Sequence, residues 1–146
     1  MPLKGNFPAL HAYYLKVPET LASHDMESTP VPNDVTTLAR RAAAICADNK
    51  ASDIVLLDLH GVTDMTDYFI VASGTSDTHV RSVAQHVVET LAKDGVRAHS
   101  VEGLTQGRWV LLDYVDFVVH VFHPSQRSFY QLERLWGDAP ALAVSP

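Results

Sequence analysis

The residues best equipped for chemistry in this sequence are carboxylates gathered at two bends, Asp58, Asp64 and Asp67 in one and Asp113 with Asp116 in the other. Acids paired at strand ends bind magnesium, because a hard cation takes oxygen ligands, and two such ions can drive phosphoryl or nucleotidyl transfer. That chemistry also needs a glycine-serine phosphate cradle ahead of two acids on adjacent strand positions. Here Ser73-Gly74-Thr75-Ser76 follows the second strand instead of preceding an acidic pair, so the parts stand in the wrong order. Turn-capping carboxylates are the favoured reading. A magnesium-dependent nucleotidyltransferase-type enzyme using Asp58, Asp113 and Asp116 is the alternative.

The other reactive groups argue against catalysis in the same way. His120 and His123 are spaced by three, which puts their rings on opposite faces of a strand, and no cysteine pair or His-Glu-x-x-His helix accompanies them. Ser73-Gly74-Thr75 lacks the pattern of a nucleophile elbow. Cys46, the single cysteine, has no helix N-terminus or basic cluster near it in sequence to lower its pKa, so it reads as a small buried hydrophobe. No catalytic residue, metal or cofactor is expected. What remains is an interaction surface: Tyr68, Trp109, Tyr114, Arg127, Tyr130 and Trp136 are of the types that anchor protein interfaces. Phe117, Phe122, Phe129 and Trp136 are assigned to the core, while Trp109 and Tyr114 stand between core and surface.

The elements that position these residues follow from periodicity. Asp34 is a suitable N-cap, and Val35, Leu38, Ala39, Ala42, Ile45 and Cys46 recur on one face of a helix ending near Asp48. Residues 54–59 form an apolar strand, and residues 68–73 form a second one after a short polar bend, which predicts an antiparallel pair. Ser76 or Asp77 caps a helix with an apolar stripe of Val80, Val83, Ala84, Val87 and Leu91, and Gly95 stops it. Residues 96–102 suit an edge strand, residues 109–112 and 117–122 a pair joined by Asp113-Tyr114-Val115-Asp116, and Pro124 opens a last helix through Phe129, Leu132 and Trp136. The order predicts an α+β domain with a mixed β-sheet of about five strands flanked by α-helices.

Five of the eight prolines fall in residues 1–33, where no period persists, so this stretch reads as a flexible leader with neither a signal-peptide nor a transit-peptide pattern. The folded part is expected over residues 34–138, with a short tail at 139–146. Of the formal net charge of -6, the residues after the leader carry a net -5, from 14 acidic and 9 basic side chains. No basic run exceeds Arg40-Arg41, which speaks against a protein that holds nucleic acid by neutralising phosphates. No apolar run approaches the roughly 20 residues of a membrane span, and a cytoplasmic protein is expected.

At several motifs the sequence resembles the ribosomal silencing factor RsfS, or Iojap, family. The motifs are Asp53-Ile54 with Leu57-Asp58, then Thr66-Asp67-Tyr68-Phe69-Ile70-Val71-Ala72-Ser73-Gly74-Thr75-Ser76, and Val101-Glu102-Gly103. The likeness continues through Trp109-Val110-Leu111-Leu112-Asp113-Tyr114, Asp116-Phe117-Val118-Val119-His120-Val121-Phe122 and Arg127-Ser128-Phe129-Tyr130-Gln131-Leu132-Glu133-Arg134-Leu135-Trp136. The resemblance implies a non-enzymatic repressor with a nucleotidyltransferase-like core that lacks catalytic residues. It implies binding to the large ribosomal subunit through ribosomal protein fourteen on the intersubunit face, a block to small-subunit joining under nutrient limitation, and a homodimer when free.

Carried over position by position, the resemblance implies a partner-binding surface of Trp109, Leu112, Asp113, Tyr114 and Asp116, with Tyr68, Ser73 and Arg127 nearby. Two places depart from the family pattern. Val115 stands where the family usually has glycine, and because a β-branched residue resists positive φ it predicts a turn of different shape. At Thr78-His79 the family typically shows arginine followed by glutamine or histidine.

Overall fold

The computed structural model describes residues 34–126 and 140–142. Helix α1 spans Val35–Asp48, strand β1 Ser52–Asp58, β2 Tyr68–Ser73, α2 Asp77–Lys93, β3 Ser100–Glu102, β4 Trp109–Asp113, β5 Phe117–Phe122 and β6 Ala141–Leu142. The leader, and the part of the predicted last helix that holds Arg127, Phe129, Tyr130, Leu132 and Trp136, lie outside the described residues. Residues 124–126 are helical, as Pro124 predicted.

Both helices begin and end where their capping residues stand. The Asp34 Oδ1 accepts the Thr37 amide N–H at 2.8 Å, and the Ser76 Oγ accepts that of His79 at 3.1 Å. Each satisfies one of the four N–H groups that a helix start leaves unpaired. At the end of α2, Gly95 takes φ +83° while its N–H bonds to the Ala92 carbonyl and the Val96 N–H to that of Leu91. This paired closure spends Val96 on the helix cap. The edge strand is accordingly Ser100–Glu102, shorter than the predicted residues 96–102.

The sheet runs β3-β4-β5-β2-β1-β6. It is mixed, because β2 lies parallel to β5 while the other neighbours pair antiparallel, including β1 with β2 as expected. The sixth strand comes from the stretch expected to be a tail: Ala141 and Leu142 pair with Leu57 and Leu56.

Helices α1 and α2 cover one face of the sheet. Ala39, Ala42, Ile45 and Cys46 of α1 and the predicted α2 stripe meet Leu56, Ile70, Ala72, Val110, Leu112, Val119 and Val121. Cys46 is wholly buried there, and burial pushes its thiol up to about 12, which suits a packing role. The alternate positions Leu57, Phe69, Val71, Leu111, Val118 and Phe122 point to the other face and are buried as well. A sheet buried on both faces needs apolar side chains at successive positions, which is why the Tyr68–Ser73 strand shows no polar alternation. His79 fastens the two helices together: its Nδ1 accepts the Thr75 N–H and its Nε2–H donates to the Asn49 carbonyl, both at 2.8 Å.

Candidate partner-binding surface

The sheet register sorts the candidate residues into two groups. Asp58 pairs with Tyr68, Tyr68 with Phe117, and Asp113 with Val118, so one end of the sheet carries Asp58, Tyr68, Asp113, Tyr114 and Asp116. The Asp67 N–H donates to the Asp116 carbonyl at 2.9 Å, which brings the two predicted acidic bends side by side. At the opposite end Ser73 pairs with Phe122 and Phe122 with Trp109. Five residue steps along β5 separate the ends by about 17 Å. Tyr68, Asp113, Tyr114 and Asp116 therefore come together, Trp109 and Ser73 do not join them, and Arg127 lies outside the described residues.

The turn between β4 and β5 is the most constrained part of this surface. Asp113 is 1% exposed; its Oδ1 accepts the Val115 N–H at 2.6 Å, and its buried Oδ2 has no partner among the described residues. Burial raises its carboxyl to about 6, with the Val115 N–H pulling the other way. Val115 sits at φ +71°, and the Asp116 N–H donates back to the Tyr114 carbonyl at 2.8 Å. Valine thus takes the positive φ that a β-branched residue resists, with its N–H held by the Asp113 carboxylate. Tyr114 stacks on Phe117 at 4.8 Å between ring centroids, and its buried hydroxyl has no partner among the described residues.

The remaining candidates have structural duties. Tyr68 is buried, and its hydroxyl lies 2.7 Å from the Thr36 Oγ1, which ties β2 to α1. Leu112 is buried in the core, where it floors an apolar groove of about 180 Å³ shared with Ala84, Val88, Val101 and Leu104. Ser73 is buried. Trp109 is half-buried; it stacks on Phe122 at 5.3 Å, and its indole N–H donates to the His120 Nδ1 at 3.1 Å. That bond leaves the His120 proton on Nε2, and full burial pushes the ring down to about 3. His120 is therefore a neutral core residue, while His123 outside the strand meets the Ser125 hydroxyl at 2.9 Å.

Two features of the acidic end were missed in the sequence. Met65 is 47% exposed on the β1–β2 connection, a large apolar side chain in open view. An apolar residue inside a polar bend was the available signal. His60 stands between Asp58 and Asp67, with Nδ1 2.6 Å from the Asp58 Oδ1 and Nε2 3.4 Å from the Asp67 Oδ1. Of the acids in the enzyme alternative, Asp58 is thus engaged by His60 and Asp113 by Val115. Among the described residues no group of three or more His, Cys, Asp or Glu side chains is placed to hold a metal ion, and no helix is long and apolar enough to cross a membrane.

Comparison with known proteins gives the same family throughout. The family described as ribosomal silencing factor during starvation, RsfS, matches residues 32–146. Ribosomal silencing factor RsfS of Bacillus subtilis is 43% identical over 104 residues, which span 71% of this chain and 88% of the relative. The RsfS of Halalkalibacterium halodurans is 40% identical over 97 residues, 66% of this chain and 83% of that protein. A crystal structure of a Chromobacterium violaceum protein superposes with a TM-score of 0.70 at 36% identity, covering 72% of this chain and 88% of its own. With fold, register and turn in place, this agreement assigns the chain to the RsfS family of ribosomal silencing factors.

Proposed function

We propose that this protein docks on the large ribosomal subunit through ribosomal protein fourteen and sterically blocks joining of the small subunit, so that translation falls under nutrient limitation. The observation that carries the reading is the family match, which spans the whole described domain. The acidic end of the sheet supports it. Asp58, Asp67 and Asp116 gather there beside the Tyr114 turn, and an acidic face complements a basic ribosomal protein, steering encounter and orientation. A docking patch of ordinary size, about 800 Å² per partner, is roughly 30 Å across and spans both ends of the β4–β5 hairpin. Trp109 and the turn residues Tyr114 and Asp116 can therefore belong to one interface, with the buried Tyr68, Ser73, Leu112 and Asp113 as its support and Arg127 as a further contact.

In this reading the protein is a plug and not an enzyme. It works in the cytoplasm, residues 34–138 carry the function together with the β6 strand and without the leader, and the free protein is a homodimer. The decisive experiment mixes the purified chain with isolated ribosomal subunits. Cosedimentation with large subunits and a loss of reassociation with small ones are expected; binding to the small subunit alone, or unchanged reassociation, would overturn the proposal.

A further inference from the structure

We infer that His60 is a pH-operated clip on the β1–β2 connection, tying Asp58 to Asp67 as the imidazolium and freeing Asp67 when it loses a proton. Both ring nitrogens face carboxylate oxygens, Nδ1 at 2.6 Å from Asp58 and Nε2 at 3.4 Å from Asp67. A neutral imidazole has one N–H and one lone pair, so it can donate to only one of them and turns a lone pair towards the other. The doubly protonated ring bonds to Asp58 and pairs its charge with Asp67.

The two carboxylates are held unequally. The Asp58 Oδ1 also accepts the His60 backbone N–H at 3.0 Å, so this contact survives deprotonation and the Asp67 contact is the one given up. The groups facing the ring are Asp58 from β1, Asp67 from the connection and Tyr68 from β2, whose ring meets it edge-on at 5.3 Å. Helix α1 contributes Thr36 behind the Tyr68 hydroxyl, and β5 contributes the Asp116 carbonyl that anchors the Asp67 amide. The bond to Asp58 raises the His60 pKa above its ordinary value, slight burial opposes this, and the charges of Asp67 and Asp58 raise it further. A raised folded-state pKa means that the clip is complete below the unfolded histidine value and is lost as pH rises through the higher folded value. Opening it returns an unneutralised carboxylate to the acidic end, next to Asp116 and on the connection that bears Met65.

The clip is a property of the free chain and does not depend on ribosomal docking. Nuclear magnetic resonance on the full-length protein tests it, with the His60 ring signal assigned by its absence in His60→Gln. The His60 and Asp67 side chains are 56% and 42% exposed, so substitution there leaves the fold standing. The expected result is a titration midpoint above that of an unstructured peptide histidine, lowered by Asp67→Asn. Backbone amides of residues 58–67 should step at the same midpoint, and His60→Gln should remove the step. A midpoint at or below the peptide value, an unchanged midpoint in Asp67→Asn, or an amide step that persists in His60→Gln would each overturn the inference.

Discussion

Asp113 holds Val115 in a conformation that valine resists: the Asp113 Oδ1 accepts the Val115 N–H at 2.6 Å while Val115 sits at φ +71°. With the Asp116 N–H returned to the Tyr114 carbonyl, the turn has the bonding of a γ-turn of positive φ, the rare and strained form. A left-handed φ costs a residue with a Cβ about 1–2 kcal/mol, and glycine is free of that cost but adds freedom to the unfolded chain. Val115→Gly is therefore expected to raise stability by about 0.5–1 kcal/mol. Urea denaturation measures it, and a destabilised variant would mean that the valine side chain contributes packing that outweighs its strain.

The same carboxylate makes stability depend on pH with an unusual sign. Its folded pKa is raised, to about 6 from 3.8, so its favourable contribution is complete below 3.8 and is lost as pH rises through 6. Asp113→Asn keeps an oxygen for the Val115 N–H and removes the buried charge. The variant should gain about 1–2 kcal/mol over the wild type at pH 7.5, and the gain should shrink towards pH 4. An equal gain at both pH values would show that the charge is not its source.

The half-buried Trp109 and the buried His120 form a second polar contact, at the other end of β4. Trp109→Phe preserves an aromatic ring against Phe122 but leaves the His120 Nδ1 without its donor, at a cost of about 1–3 kcal/mol. His120 has the opposite pH sign to Asp113. Its folded pKa is depressed to about 3, so its contribution stands above the unfolded value near 6.5 and is lost as pH falls towards 3. Denaturation of Trp109→Phe at pH 7 checks the first point, and wild-type stability in this variant would mean that the indole bond contributes nothing.

How much of this was legible in the sequence depends on the range of the forces involved. Asp34, Ser76 and Gly95 mark helix ends because capping acts over three or four residues, and the apolar stripe of α2 was read residue for residue. The Tyr68–Ser73 and Phe117–Phe122 strands were visible as apolar runs, but nothing local says that they lie parallel and adjacent. That pairing places Asp67 beside Asp116. Ala141 and Leu142 are too few to show a period, so the sixth strand was invisible. The candidate site suffered most from the same limit. Tyr68 was assigned to a surface on residue type and on the family resemblance, whereas it packs into the core between sheet and helices, with its hydroxyl beside Thr36, 32 positions away.

Tyr114 offers the sharpest separation of binding from stability. Its hydroxyl is buried with no partner among the described residues, and burial raises its pKa to about 12. A buried hydroxyl without a hydrogen bond is a liability of about 1–3 kcal/mol in the free protein. Tyr114→Phe, which keeps the stack on Phe117, should therefore leave stability unchanged or raise it by about 1 kcal/mol. If the hydroxyl finds its partner on the large subunit, the same variant should bind more weakly by about 1–2 kcal/mol, since a hydrogen bond is lost and a partner group is stranded. Urea denaturation and quantitative cosedimentation on one preparation give both numbers. Unchanged affinity in the folded variant would remove the Tyr114 hydroxyl from the docking surface, while a loss of stability would mean that the hydroxyl is already satisfied in the free chain.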